Sequence, residues 1–204
     1  GPTGRGDVGH HVIGVVPTTG TGGAVLILEP QHIAGPVGRA VQRHPRPQQD
    51  VVAVVEIDQI LGSQIIKGKH GDMHMKKYAE RGELMPAAAV VGCDPVLFLA
   101  ASTLVSAQVD EYDIAGSLRG RPVPVFKSDV TGLTLPANAE IIAEGFIDPH
   151  ELMDEGPFGE YTGYYSGNKG KDYPKPVLRI KRILHRNNPV MWATTVGKPI
   201  NDIH

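Results

Sequence analysis

The chain has 204 residues, of which 41% are apolar and 21% charged, and a formal net charge of −2. That is the composition of a globular protein with a full core, and it excludes the strongly basic surface of a nucleic-acid or anionic-membrane binder. The lone Cys93 excludes an internal disulfide and reads as a small apolar residue, and no apolar run reaches the ~18 residues of a membrane helix. A single cysteine fits a reducing, cytoplasmic setting, which is the expectation, and no signal peptide is read at the start of the sequence.

With 25 glycines and 17 prolines, the sequence favours turns and short strands over long helices. Residues 1 to 62 read as an irregular first part. A β-like patch runs from Val12 to Val16, and Gln42 to Asp50 reads as a polar loop. Arg5-Gly6-Asp7 matches an adhesion tripeptide but reads as a chance occurrence. Residues 63 to 204 are locally more consistent. Asp72 to Arg81 is predicted as a helix with Asp72 as N-cap and Gly82 as its stop. Ala87 to Val91 reads as a buried strand, and Pro95 to Val105 as a helix opening at Asp94-Pro95. A further helix covers Asp110 to Leu118 and ends at the turn around Gly120. Val123 to Phe126 and Ala139 to Ile147 read as strands. In Val177 to Arg186, Leu178, Ile180 and Leu184 alternate with Arg179 and Lys181, as in a half-exposed antiparallel strand. Asn187-Asn188-Pro189 would turn it into a partner strand over Val190 to Val196. The layout is α+β, with an antiparallel sheet in the second half. The chain stops at His204 directly after this hairpin, so a longer protein is expected.

The stretch Ala139 to Ser166, AEIIAEGFIDPHELMDEGPFGEYTGYYS, carries the chemistry. A strand leads into a predicted loop holding Glu144, Asp148, Glu151, Asp154, Glu155 and Glu160. Between Glu155 and Glu160, two glycines, Pro157 and Phe158 impose a tight backbone course that can turn both carboxylates towards one cavity. Carboxylates held close have separated pKa values, so one donates a proton while the other accepts. The plain alternative is a solvated acidic loop. Against it stand Phe158 at the centre and Tyr161, Tyr164 and Tyr165 just after, which suit an aromatic-lined pocket.

These motifs resemble the signature of the UbiD family of reversible decarboxylases: AEI-x-x-EG, then EGPFGE, then TGYY. The resemblance continues upstream through LRGRPVPVFKSDVTGLTLPANAEI, VDEYDIAG, VVGCDPVLFLAAST and GKHGDMHMKKYAERGELMP, and downstream through TTVGKPINDIH. It implies a flavin-reductase-like split β-barrel, antiparallel, with flanking short helices. It also implies prenylated FMN as cofactor and an aromatic or α,β-unsaturated carboxylic acid as substrate. Glu155 and Glu160 match the family's two catalytic glutamates, with proton donation assigned to Glu155. Pro157 and Phe158 would lie against the cofactor. His70 and Glu111 fall where the family holds a divalent metal, Mn²⁺ or Mg²⁺, that anchors the cofactor phosphate. K⁺ is implied near Ala101 to Ser106. A homo-oligomer is implied too, as is a flavin prenyltransferase to supply the cofactor. Taken alone, His70 reads as a polar loop residue and Glu111 as a charge at a helix N-terminus. His74, four residues after His70, has no third ligand spaced to help it.

The family's catalytic arginine and asparagine metal ligand precede GKHG. Here the arginine position falls near Val52, the nearest candidates are Arg39, Arg43 and Arg46, and residues 1 to 137 contain no asparagine. An insertion, a shifted reading frame and a divergent relative all fit that departure. A flavin-binding module without turnover is the second functional reading. A cofactor-free hydrolase built on the two glutamates is the third.

Overall fold

A computed structural model describes residues 9–17, 24–31, 41–43, 51–55, 59–63, 65, 67–68, 70–103, 109–154, 158–159, 165–166 and 174–190. For residues up to 55, for His70, and for 158–159 and 165–166, it describes the backbone alone. In chain order the elements are β1 (Gly9–Pro17), β2 (Ala24–Gln31), β3 (Val41–Arg43), β4 (Val51–Val55), β5 (Gln59–Gly62), α1 (His70–Arg81), β6 (Met85–Val91), α2 (Pro95–Ser102) and α3 (Glu111–Arg119). They continue with β7 (Val123–Lys127), β8 (Thr134–Pro136), β9 (Ile141–Asp154), β10 (Phe158–Gly159), β11 (Tyr165–Ser166) and β12 (Pro174–Arg186).

The main sheet has seven strands in the order β1-β2-β6-β9-β12-β4, with β5 also on β12, and every pairing in it is antiparallel. A second sheet of order β3-β7-β8 mixes a parallel and an antiparallel pair, and β10 and β11 form a short antiparallel ribbon. The fold is therefore a mixture of α and β built on antiparallel sheet with few helices.

β6 sits in the middle of the main sheet and is buried on both faces. Met85, Ala87 and Ala89 point into one cluster with Ile147, Leu178 and Ile180, against which Met75 and Tyr78 of α1 pack. Ala88 and Val90 point the other way, into a cluster with Leu97, Tyr112, Val125, Leu135 and Ile142. The period of two along the strand assigns these side chains to their faces. The sheet thus carries α1 on one side, and α2, α3 and the β7–β8 hairpin on the other. Fully burying the larger of these side chains, such as Met85, Ile147 and Leu178, contributes about 1.5–3 kcal/mol each.

The helix ends follow local chemistry. Asp94 caps α2 by accepting the Val96 N–H at 2.9 Å, with Pro95 in the first turn. Asp110 caps α3 through the Tyr112 N–H at 2.7 Å, so this helix begins one residue after its predicted start. Gly120 closes α3 with a φ of 66°, a left-handed geometry that favours glycine. Asp72 is not the N-cap of α1. It is the third residue of the helix, and its carboxylate reaches back to the Gly68 N–H at 2.8 Å while pairing with Lys76 at 2.6 Å. That reach satisfies an orphan donor ahead of the first turn, as a cap would.

Two further differences stand out. Residues 9–62, expected to be irregular apart from the β-like patch at Val12 to Val16 that lies in β1, contribute β1 to β5. β9 does not stop at Ile147 but runs on to Asp154, so Asp148, Glu151 and Asp154 lie on a strand rather than a loop. The ladder slips there, with Ile147 opposite Leu178 and Leu152 opposite Pro176, which leaves room for Pro149 and for an Asx turn from Asp148 to the His150 N–H (2.9 Å). β12 pairs with β9, β5 and β4. The partner strand expected over Val190 to Val196 falls outside the described residues beyond Val190, as do Arg5 to Asp7.

Candidate functional site

Glu111 opens α3 and is 3% exposed, a carboxylate sunk at a helix N-terminus. Its neighbour Tyr112 is buried at 1% and donates its hydroxyl to the Thr134 carbonyl of β8 at 3.1 Å. Burial holds the Tyr112 phenol well above its ordinary pKa, so it stays a neutral donor. His70 is the first residue of α1, and its ring lies outside the described side chains. His74, one turn on, is buried. Among the described residues no group of three or more His, Cys, Asp or Glu side chains is assembled to hold a metal.

Of the acidic stretch, Glu155, Pro157 and Glu160 fall outside the described residues, as do Arg39 and Arg46. Arg43 ends β3, with its backbone opposite Val125 of β7. Phe158 and Gly159 form β10, whose backbone pairs Phe158 with Ser166 and Gly159 with Tyr165. The backbone on either side of residues 160–164 is thereby paired, while most of the tight course expected between Glu155 and Glu160 lies outside the described residues. Of the loop expected to carry K⁺, Ala101 and Ser102 belong to α2, and residues 104–108 are not among those described.

The structure adds a cluster that sequence reasoning had merged into the acidic loop. Glu144, at mid-β9, has 0% exposure. Its Oε1 accepts Arg182 Nε at 2.6 Å and Arg182 Nη2 at 2.5 Å. Its Oε2 accepts the hydroxyls of Ser128 (2.5 Å) and Thr131 (2.6 Å). Arg182 also pairs with the exposed Asp129 at 2.7 Å. Burial works against the Arg182 charge, but hydrogen bonds to Asp129 and Glu144 outweigh it and hold its pKa above the ordinary value. The Arg182 hydrogen bond holds the Asp129 carboxyl below its usual range. A signal for this cluster exists in the sequence: Glu144 shares the inward parity of Ile142 within the otherwise apolar run Ile141 to Ile147, and an acid there needs a buried partner.

The family model described as "3-octaprenyl-4-hydroxybenzoate carboxy-lyase Rift-related domain" matches residues 52–199 of this chain. The chain belongs to the UbiD family. It is 39% identical over 139 residues to a phenolic acid decarboxylase of Bacillus subtilis, covering 68% of this chain and 28% of that protein. Among solved structures it is similar to the UbiD-class enzyme HmfF from Pelotomaculum thermopropionicum in complex with FMN, with a TM-score of 0.60 and 27% identity, covering 92% of this chain and 36% of the other. An evolved dimeric form of HmfF in complex with prFMN gives a TM-score of 0.59 at 26% identity, covering 92% and 38%. The chain therefore spans about a third or less of the length of these UbiD relatives. The segment 52–199 contains His70, Glu111, Glu155 and Glu160.

Proposed function

We propose that this chain is the cofactor-holding portion of a decarboxylase that reversibly and non-oxidatively removes carbon dioxide from an aromatic or α,β-unsaturated carboxylic acid, using prenylated FMN. The observation that carries the reading is the family match across residues 52–199, which takes in all four expected glutamate and histidine positions. Residues 63–204 would carry the cofactor core, a split β-barrel, whose sheet the first part, residues 1–62, extends with β1, β2, β4 and β5. The long, bulged β12, paired with β9, β5 and β4, suits such a closure.

When bound, the prenylated flavin supplies the electron sink for the carboxylate's departure. His70 and Glu111 would hold Mn²⁺ or Mg²⁺. A buried carboxylate and an imidazole are donors that such ions accept, and the carboxylate of Glu111 stands at a helix N-terminus that favours its charge. Phe158 and Pro157 would shield the reacting carbon from water. Glu155 would deliver a proton to the carbon that carbon dioxide leaves, balancing the lost carboxylate, and Glu160 would orient the arginine and the cofactor. K⁺ near Ala101 to Ser106, a flavin prenyltransferase as supplier, a cytoplasmic setting and a homo-oligomer complete the proposal.

The test is exchange of labelled bicarbonate into phenolic and acrylic acids by the cofactor-loaded protein. Loss of exchange by about 10²-fold or more in Glu155→Gln and Glu160→Gln is the expected result. A flavin-binding module without turnover is the second reading, favoured by the lack of an arginine at the expected position near Val52, where Arg46 is the nearest upstream. Retained flavin with no exchange in the unaltered protein would select it.

A further inference from the structure

We infer that Glu144 and Arg182 are positioning residues, which set the helix bearing Glu111 against the strand that leads into Glu155. The inference rests on the functional reading above. The path is continuous in named contacts. Tyr112, beside Glu111, is tied by its hydroxyl to Thr134 of β8 at 3.1 Å. The turn at that same end of the β7–β8 hairpin, just before Thr134, is tied to Glu144 by Ser128 (2.5 Å) and Thr131 (2.6 Å). Glu144 is tied across to β12 by Arg182 Nε at 2.6 Å. β9 then runs from Glu144 to Asp154, and Glu155 follows.

Apolar contact alone would leave the hairpin free to slide over the sheet face by small amounts. A carboxylate with donors on both oxygens does not allow it, because each bond has its own distance and direction. A buried ion pair adds little stability over an apolar pair of equal volume. Fixed geometry is therefore the better account of a Glu at 0% exposure beside a large apolar core. The cluster thus ties the hairpin that holds Tyr112, next to Glu111, to β9, the strand that runs on to Asp154.

Thr131→Ala removes one donor from a partly exposed position and preserves the core, with Glu83→Gln on the surface as control. Two readouts are taken: Mn²⁺ affinity in the presence of FMN, by electron paramagnetic resonance titration, and amide hydrogen exchange. The expected result for Thr131→Ala is Mn²⁺ binding weakened about tenfold. Exchange would rise together in Glu111–Arg119 and in residues 155–166, while the control matches the unaltered protein. Glu144→Gln, where it folds, should show the same pattern more strongly. Exchange that rises only in residues 128–132, or leaves α3 unchanged, overturns the inference even if the protein binds no metal. Failure of the unaltered protein to bind Mn²⁺ and FMN sinks the functional reading, and the exchange result still decides the coupling.

Discussion

At Gly145 a Cβ would stand 1.9 Å from the Arg179 carbonyl oxygen of the neighbouring strand. The cause is the ladder slip that places Gly145 opposite Ile180 and Glu144 opposite Arg182, with Lys181 left over. The same slip sets Glu144 beside its arginine. Gly145→Ala should cost about 3 kcal/mol by urea unfolding, because backbone rather than a flexible side chain must move. Arg182→Met should cost about 3–5 kcal/mol in the same assay by stranding a buried carboxylate. Cys93 makes a pH-dependent prediction. Burial pushes its thiol up to about 11 from 9.0. The neutral thiol's contribution is therefore complete below about pH 9 and fades as pH climbs to about 11. Iodoacetamide should alkylate it slowly at pH 8 in the folded protein and readily in urea; equal rates would contradict this.

Among the elements, α2 and α3 are legible because their signals are local: Asp94 before Pro95, Asp110 before Glu111, and Gly120 after Arg119. Asp94→Ala should cost about 2 kcal/mol, read as a shift in the thermal unfolding midpoint, through loss of the bond to the Val96 N–H and of the ion pair with Arg119 at 3.0 Å. β6 was legible as a buried apolar run, and the sheet supplies apolar neighbours on both its faces. The far half of β9 was not. Pro149 and the acids around it carry the marks of a loop, and only the offset against Pro176 and Leu178 lets them stay in a strand. The pairing of β2 with β6 and of β4 with β12 was hidden for another reason: strand partners distant in sequence leave no local trace.

For the whole molecule, the candidate site was legible as motif rather than as geometry. EGPFGE, TGYY and VDEYDIAG pointed to the family that the match over residues 52–199 shows. Periodicity would not have found Glu111, whose burial at the head of α3 comes from tertiary packing. Glu144 was read with its acidic neighbours because composition does not separate an inward acid from an outward one. The proposed function requires this fold to hold a prenylated flavin with a divalent metal. The direct measurement is to co-express the protein with a flavin prenyltransferase, purify it without oxygen, and determine cofactor mass, visible absorbance and bound manganese together. The account predicts prenylated FMN and manganese in equal, near-stoichiometric amounts, both lowered in Glu111→Ala. A colourless, metal-free protein would contradict it.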